Sequence, residues 1–143
     1  MSRQETAGPR NDQPSSAIKR ALQDRTVDGR LPCAAAHAAA IVTGSPPLSI
    51  GQAAEALALR ISRCQLGFFG YPGKQGFHEI GVAELEVPDG LAGAIREAAG
   101  ETGTASCAAL WQIAAQFGIP RMLAGYVADQ GGIRVAPCQL GVF

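Results

Sequence analysis

Apolar residues recur at helical spacing in two well-separated stretches of the chain. Leu110, Ile113, Ala114 and Phe117 fall at i, i+3, i+4 and i+7, and Ala124, Val127 and Ala128 share one face soon after. This spacing predicts two amphipathic helices. Gly118 suits the left-handed stop of the first helix, and Pro120 the start of the second. An earlier stretch has the same plan. A helix opens near Cys33, Gly44 stands at the turn, Pro46 and Pro47 follow, and Ile50, Ala53, Ala54 and Leu57 mark a second helix. One more helix is predicted before each pair, near 17–25 and 91–99. After each pair comes Arg60-Ile61-Ser62 or Ile133-Arg134-Val135, where β-branched residues predict a short strand. Between the stretches, Val82, Glu84 and Glu86 alternate with Ala83, Leu85 and Val87, which predicts a strand over 82–87.

The two stretches superpose with a shift of 74 residues and no gap, 31–69 on 105–143. Of these 39 positions 14 are identical, including Cys33/Cys107, Gly44/Gly118, Pro46/Pro120, Arg60/Arg134 and Phe69/Phe143. The block Cys64-Gln65-Leu66-Gly67 returns as Cys138-Gln139-Leu140-Gly141. Shared alanines follow from composition. Cys, Gly, Pro, Arg and Gln in common register point to a duplication. Ala40 and Ala114 each stand four residues before the turn glycine, where a small side chain lets two helices approach as in a helix-turn-helix. The expected fold class is therefore mainly α with short strands, built as tandem duplicated helix-turn-helix, winged-helix-like units. The expected organisation is a disordered tail over 1–15, a first unit over 16–69, a Gly/Pro-rich acidic connector over 70–90 and a second unit over 91–143.

Hydrophobic residues make up 47% and charged residues 17%, enough apolar surface for a buried core. Twelve Lys+Arg balance twelve Asp+Glu, which excludes a protein that coats nucleic acid by charge alone. The balance is uneven along the chain. Residues 1–30 hold six basic and four acidic side chains, whereas 70–103 hold two basic and six acidic. The first unit is thus the expected DNA-facing one. Lys19, Arg20, Arg30, Arg60 and Arg63 are the candidate phosphate contacts. Ser49 and Gln52, on the expected last helix of the first unit, are the candidate base contacts, because a glutamine amide can pair bidentately with adenine. That helix carries no Lys or Arg. A homodimer on double-stranded DNA would double the footprint. The rival reading is an assembly or adaptor module whose helices bind a protein partner. The Ala-rich stretch 31–42 is too short to span a bilayer and no signal-peptide pattern precedes it, so the expected location is cytoplasmic, with no membrane partner.

The cysteines form one pair used twice, 31 residues apart each time. Cys33 follows Pro32 and Cys107 follows Ser106, so both should open a helix, where the dipole lowers a thiol pKa. Cys64 and Cys138 follow the expected strands. A strand returning beside the helix start would bring Cys33 to Cys64 and Cys107 to Cys138. Three readings stand open: four buried small hydrophobes, a zinc or iron–sulfur site, or a redox pair in each unit. His37 and His78 are candidate extra ligands, although Trp111 replaces His37 in the second copy. Gln65 and Gln139 are expected to fix the following turn through backbone hydrogen bonds. No catalytic motif is present, and no enzyme activity is expected.

The segments Asp28-Gly-Arg-Leu-Pro-Cys33-Ala-Ala and Arg63-Cys-Gln-Leu-Gly-Phe-Phe-Gly70, with the second Cys-Gln-Leu-Gly-Val-Phe143, resemble a group of small bacterial proteins. Those are described as similar to the winged-helix domain of molybdate-responsive (ModE-type) transcriptional regulators. The resemblance covers about residues 18–143. It implies a winged helix-turn-helix that binds operator DNA and acts in transcriptional regulation. It carries no molybdate-binding residue onto this chain.

Overall fold

The computed structural model of the protein describes residues 14–72, 75–79 and 81–143. Residues 1–13 of the expected tail lie outside the described residues. The described chain is mainly helical, with six α-helices and few short strands. It divides into two compact units, Met1–Ile61 and Ser62–Phe143.

In unit 1, α1 (Ser16–Arg25) starts at Ser15, whose hydroxyl oxygen accepts the Ile18 N–H at 3.2 Å and satisfies one of the free donors of the first turn. The short strand β1 (Arg30–Pro32) leads straight into α2 (Cys33–Thr43). Gly44 ends α2 with φ 65, its N–H bonds to Ile41, and the Ser45 N–H bonds to Ala40. This left-handed stop satisfies the last carbonyls and turns the chain sharply. Pro47 then opens α3 (Pro47–Ala56), as its fixed φ and missing N–H favour. The three helices pack pairwise. Ala36, Ala39 and Ala40 give α2 an inner face of methyl groups, so α1 and α3 approach closely, and fully buried Leu22, Leu31 and Ile50 supply the volume. Each of those large side chains contributes about 1.5–3 kcal/mol by leaving water. After α3, β2 (Arg60–Ser62) pairs with β1.

Unit 2 contains α4 (Leu91–Ala99), β3 (Thr104–Ala105), α5 (Cys107–Phe117), α6 (Arg121–Gln130) and β4 (Arg134–Val135) in the same order of helices and strands. A 3-10 turn at Gly100–Thr102 links α4 to β3. The Ser106 hydroxyl caps α5 by accepting the Ala109 N–H at 3.0 Å. Gly118, φ 64, ends α5, and the Ile119 N–H bonds to Ala114. β3 and β4 pair in parallel, Thr104 with Arg134 and Ala105 with Val135. Leu91, Ile95, Leu110 and Leu123 form the centre of the core. Among the described residues each sheet has only two strands, so no hairpin wing extends either ladder.

Two expectations change. Residues 62–69 pack with unit 2 rather than with the helices that precede them: Cys64 and Leu66 belong to the same buried cluster as Phe77, Val82 and Leu110. The stretch expected as a strand over 82–87 begins instead with a 3-10 turn at Val82–Glu84. Gly81 turns the chain with φ 61, the Val82 N–H bonds back to Phe77, and Val82 is buried while Ala83, Leu85 and Val87 are exposed. Alternation alone makes no strand where no neighbouring strand offers hydrogen bonds.

Candidate thiol site and cationic surface

The candidate phosphate contacts separate into two groups. Lys19 and Arg20 are exposed on α1, Arg30 on β1 and Arg60 on β2. None of the four has a side-chain hydrogen bond or ion pair among the described residues. The Arg60 N–H donates to the Gly29 carbonyl at 2.9 Å, which sets Arg60 beside Arg30 on the ladder. Gln52 is exposed on α3, and Ser49 is half-buried. Arg63 does not join them. It lies in unit 2, pairs with Glu79 at 3.2 Å and stacks its guanidinium 5.2 Å from the Tyr71 ring centre. Glu79 is distant in sequence, so spacing gave no warning of this partner.

All four cysteines are buried free thiols. Cys33 opens α2 in unit 1; Cys64, Cys107 and Cys138 are in unit 2. The ladder between β3 and β4 continues past its last pair. The Ala136 N–H donates to Ala105 at 2.9 Å and the Cys107 N–H donates to Pro137 at 3.1 Å. Cys107 therefore sits against the segment that carries Cys138. The two Cys-Gln-Leu-Gly stretches fold alike. Gly67 N–H bonds to the Cys64 carbonyl at 2.9 Å and Gly141 N–H to the Cys138 carbonyl at 3.0 Å. Cys64 N–H reaches Phe69 at 3.1 Å and Cys138 N–H reaches Phe143 at 2.7 Å. The two phenylalanine rings meet edge to face, 5.7 Å apart.

Both glutamines meet side chains. The Gln139 amide N–H donates to the Cys107 sulfur at 3.4 Å. Gln65 Oε1 accepts from Arg121 at 2.7 Å, and the same guanidinium lies 3.6 Å over the Trp111 ring. Tyr71, which the alignment of repeats does not include, donates its hydroxyl to the Cys64 carbonyl at 2.8 Å. Phe68, Phe69, Phe143, Ile133 and Arg134 line an open pocket of about 540 Å³ nearby in unit 2. His37 is half-buried in α2, and His78 is exposed. Among the described residues no three His, Cys, Asp or Glu side chains are arranged to hold a metal ion.

The expected lowering of the Cys107 pKa by its helix terminus does not hold. Burial pushes this thiol up from 9.0, and it outweighs the opposing hydrogen bonds from Gln139; the charges of Cys138 and Cys64 push it further up. Burial likewise pushes Cys64 up, against backbone N–H groups of Phe68, Leu66 and Gly67 that face its sulfur. Removal from water costs the thiolate more than the dipole returns. The sign for folding follows: the contribution is full below the unfolded thiol's pKa and is lost as pH rises through the folded value. Iodoacetamide should therefore alkylate Cys64 and Cys107 more slowly in the folded reduced protein than in urea, with the folded rate still climbing above about pH 9. Equal rates in both states, followed by peptide mapping, would contradict this.

No family model, curated protein or solved structure matches the chain, and none of these comparisons links it to the molybdate-responsive regulators.

Proposed function

We propose that the protein is a DNA-binding transcriptional regulator, that its two units are copies of one helix-turn-helix, winged-helix-like module, and that unit 1 meets double-stranded DNA. The observation that carries this reading is the pair Arg30 and Arg60. Two like charges side by side on a ladder are unfavourable unless an anion joins them. Both are exposed and unpaired among the described residues, as are Lys19 and Arg20 on α1. Gln52 stands exposed on α3, the helix that would read the major groove. Arg63 drops out of the phosphate set because Glu79 already holds it.

The test is a titration of random duplex DNA at several salt concentrations. Affinity should fall with salt, and Arg30→Gln or Arg60→Gln should each reduce the slope by about 0.9, one phosphate contact apiece. Glu55→Gln, on the exposed face of α3, should leave affinity equal or tighter. Binding that ignores salt, or slopes unchanged by either arginine substitution, would reject the reading.

One observation favours a second reading, assembly with a further copy of the chain in a homodimer. Ile41 and Val42 at the end of α2 are 80% and 63% exposed, and Leu48 at the start of α3 is 50% exposed. Three large apolar side chains at one corner form a patch of the kind that a partner covers. The absence of DNA binding together with a dimer by light scattering would favour it over the first.

A further inference from the structure

Unit 2 also holds a cavity that the regulator reading does not use. It is open to solvent and about 540 Å³ in volume, within the range of small-molecule sites. Phe68, Phe69 and Phe143 give it aromatic walls, Ile133 gives an aliphatic one, and Asp129 and Arg134 also line it.

The walls are fixed before any ligand arrives. The Phe143 ring meets Phe69 edge to face at 5.7 Å and Phe68 at 6.4 Å. Phe68 in turn stands edge-on to Phe77 at 6.0 Å, and Phe77 is buried in the core. Each phenylalanine loop is closed by its cysteine N–H, from Cys64 to the Phe69 carbonyl at 3.1 Å and from Cys138 to the Phe143 carbonyl at 2.7 Å. The segment after α6 is held as well. Ile133 N–H donates to the Ala128 carbonyl at 2.9 Å and Arg134 N–H to the Gly103 carbonyl at 3.0 Å. A site built in this way loses little freedom on binding. Phe68 and Phe69 nevertheless stay half-buried, and Phe143 is 39% exposed. Aromatic faces left in water beside an aliphatic wall suit a flat apolar group.

The charges narrow the class of ligand. Asp129 and Arg134 are both exposed, and neither side chain has a hydrogen bond or ion pair among the described residues. They do not pair with each other, so a gap separates them. A ligand with only an anion would be repelled by the Asp129 carboxylate, and one with only a cation by the Arg134 guanidinium. A zwitterion satisfies both, with its ammonium toward Asp129 and its carboxylate on the guanidinium N–H groups. The same acid-to-arginine spacing returns in the first repeat as Glu55 and Arg60. Residues 1–61 contain no Phe, Tyr or Trp, so unit 1 has no aromatic wall of its own.

From this geometry we infer that the cavity of unit 2 binds a free aromatic α-amino acid, one per chain. The ring packs among Phe68, Phe69 and Phe143. Asp129 holds the ammonium, and Arg134 holds the carboxylate.

The experiment is isothermal titration calorimetry of the full chain with L-phenylalanine and L-tryptophan. Three truncated probes accompany them: phenethylamine without the carboxylate, hydrocinnamate without the ammonium, and L-alanine without the ring. Both aromatic amino acids should bind in equimolar amount, and each truncated probe about tenfold or more weakly by comparison. Asp129→Asn, Arg134→Gln and Phe143→Ala should each weaken L-phenylalanine by about the same factor. Gln112→Ala, exposed on α5, should leave it unchanged. The three site residues are exposed, and far-UV circular dichroism separates loss of binding from loss of fold. No DNA is present, so the outcome stands apart from the regulator reading. Three results would overturn the inference. The first is no binding of either aromatic amino acid at millimolar concentration. The second is phenethylamine or hydrocinnamate binding as tightly as L-phenylalanine. The third is L-phenylalanine binding unchanged in all three site variants.

Discussion

Leu66→Ala is expected to cost unit 2 about 2–5 kcal/mol, the range for emptying a fully buried leucine site. Leu66 is 0% exposed and belongs to the same core cluster as Leu91, Ile95, Leu110 and Leu123. Its backbone is held on both sides. Cys64 N–H is bonded to Phe69, Gly67 N–H to Cys64, and Gly76 N–H to Gly67. A loop pinned in this way cannot collapse into the vacated volume, so the cost should fall in the upper part of the range. Domains of this size commonly have only about 5–15 kcal/mol in total. The single tryptophan of the chain, Trp111, lies in α5 and reports on unit 2. Urea unfolding followed by its fluorescence should show a lower midpoint with an unchanged slope. The same change should speed alkylation of Cys64, because the loop that buries its sulfur loses its anchor. A loss under about 1 kcal/mol would mean that the first Cys-Gln-Leu-Gly loop is not part of the unit 2 core.

That loop marks how far the residues alone can be read. The helix boundaries around the two turns were legible, because Ala40, Gly44 and Pro46, like Ala114, Gly118 and Pro120, are local signals. A left-handed stop needs glycine, and a helix start tolerates proline. Where residues 62–69 would pack was not legible. Alignment of the repeats joins them to the helices before them, but a core is chosen by shape and available apolar surface. Leu66 finds that surface in unit 2. Phe77 and Val82 behave the same way, although they lie in a segment whose Gly, Pro and acidic residues suggest only a connector.

The site divides in a similar manner. Arg60 was nameable at the start of a predicted strand and Arg30 as part of the basic excess of residues 1–30, whereas the strand that carries Arg30 was not foreseen. Their adjacency needed the Gly29–Arg60 hydrogen bond to become visible. Arg63 was nameable too, yet its charge is spoken for by Glu79, a partner that no local rule connects to it. Cys107 was placed correctly at a helix start. The sign of its pKa shift depended on burial, which is a property of the packed unit and not of the helix terminus.

Glycine substitutions at two helical positions should have opposite signs, and this is the sharper test of the packing in unit 2. By helix propensity alone, Gly→Ala stabilises a helix by about 0.8–1 kcal/mol. Gly93, on α4, has nothing within 4 Å of an added Cβ, so Gly93→Ala should show that gain. Gly125, on α6, has the Leu66 carbonyl against its backbone, and an added Cβ would run into the Leu66 oxygen and lie 2.9 Å from its carbon. Those atoms are backbone, held by the loop hydrogen bonds, and cannot swing aside like the end of a side chain. Overpacking of this kind costs about 1–3 kcal/mol or more, which exceeds the propensity gain and reverses the sign. Gly125→Ala should therefore lower the urea midpoint, and Gly125→Val should lower it further, since a β-branched side chain adds bulk and helix cost together. A raised midpoint for Gly125→Ala, matching Gly93→Ala, would show that Leu66 does not lie against α6.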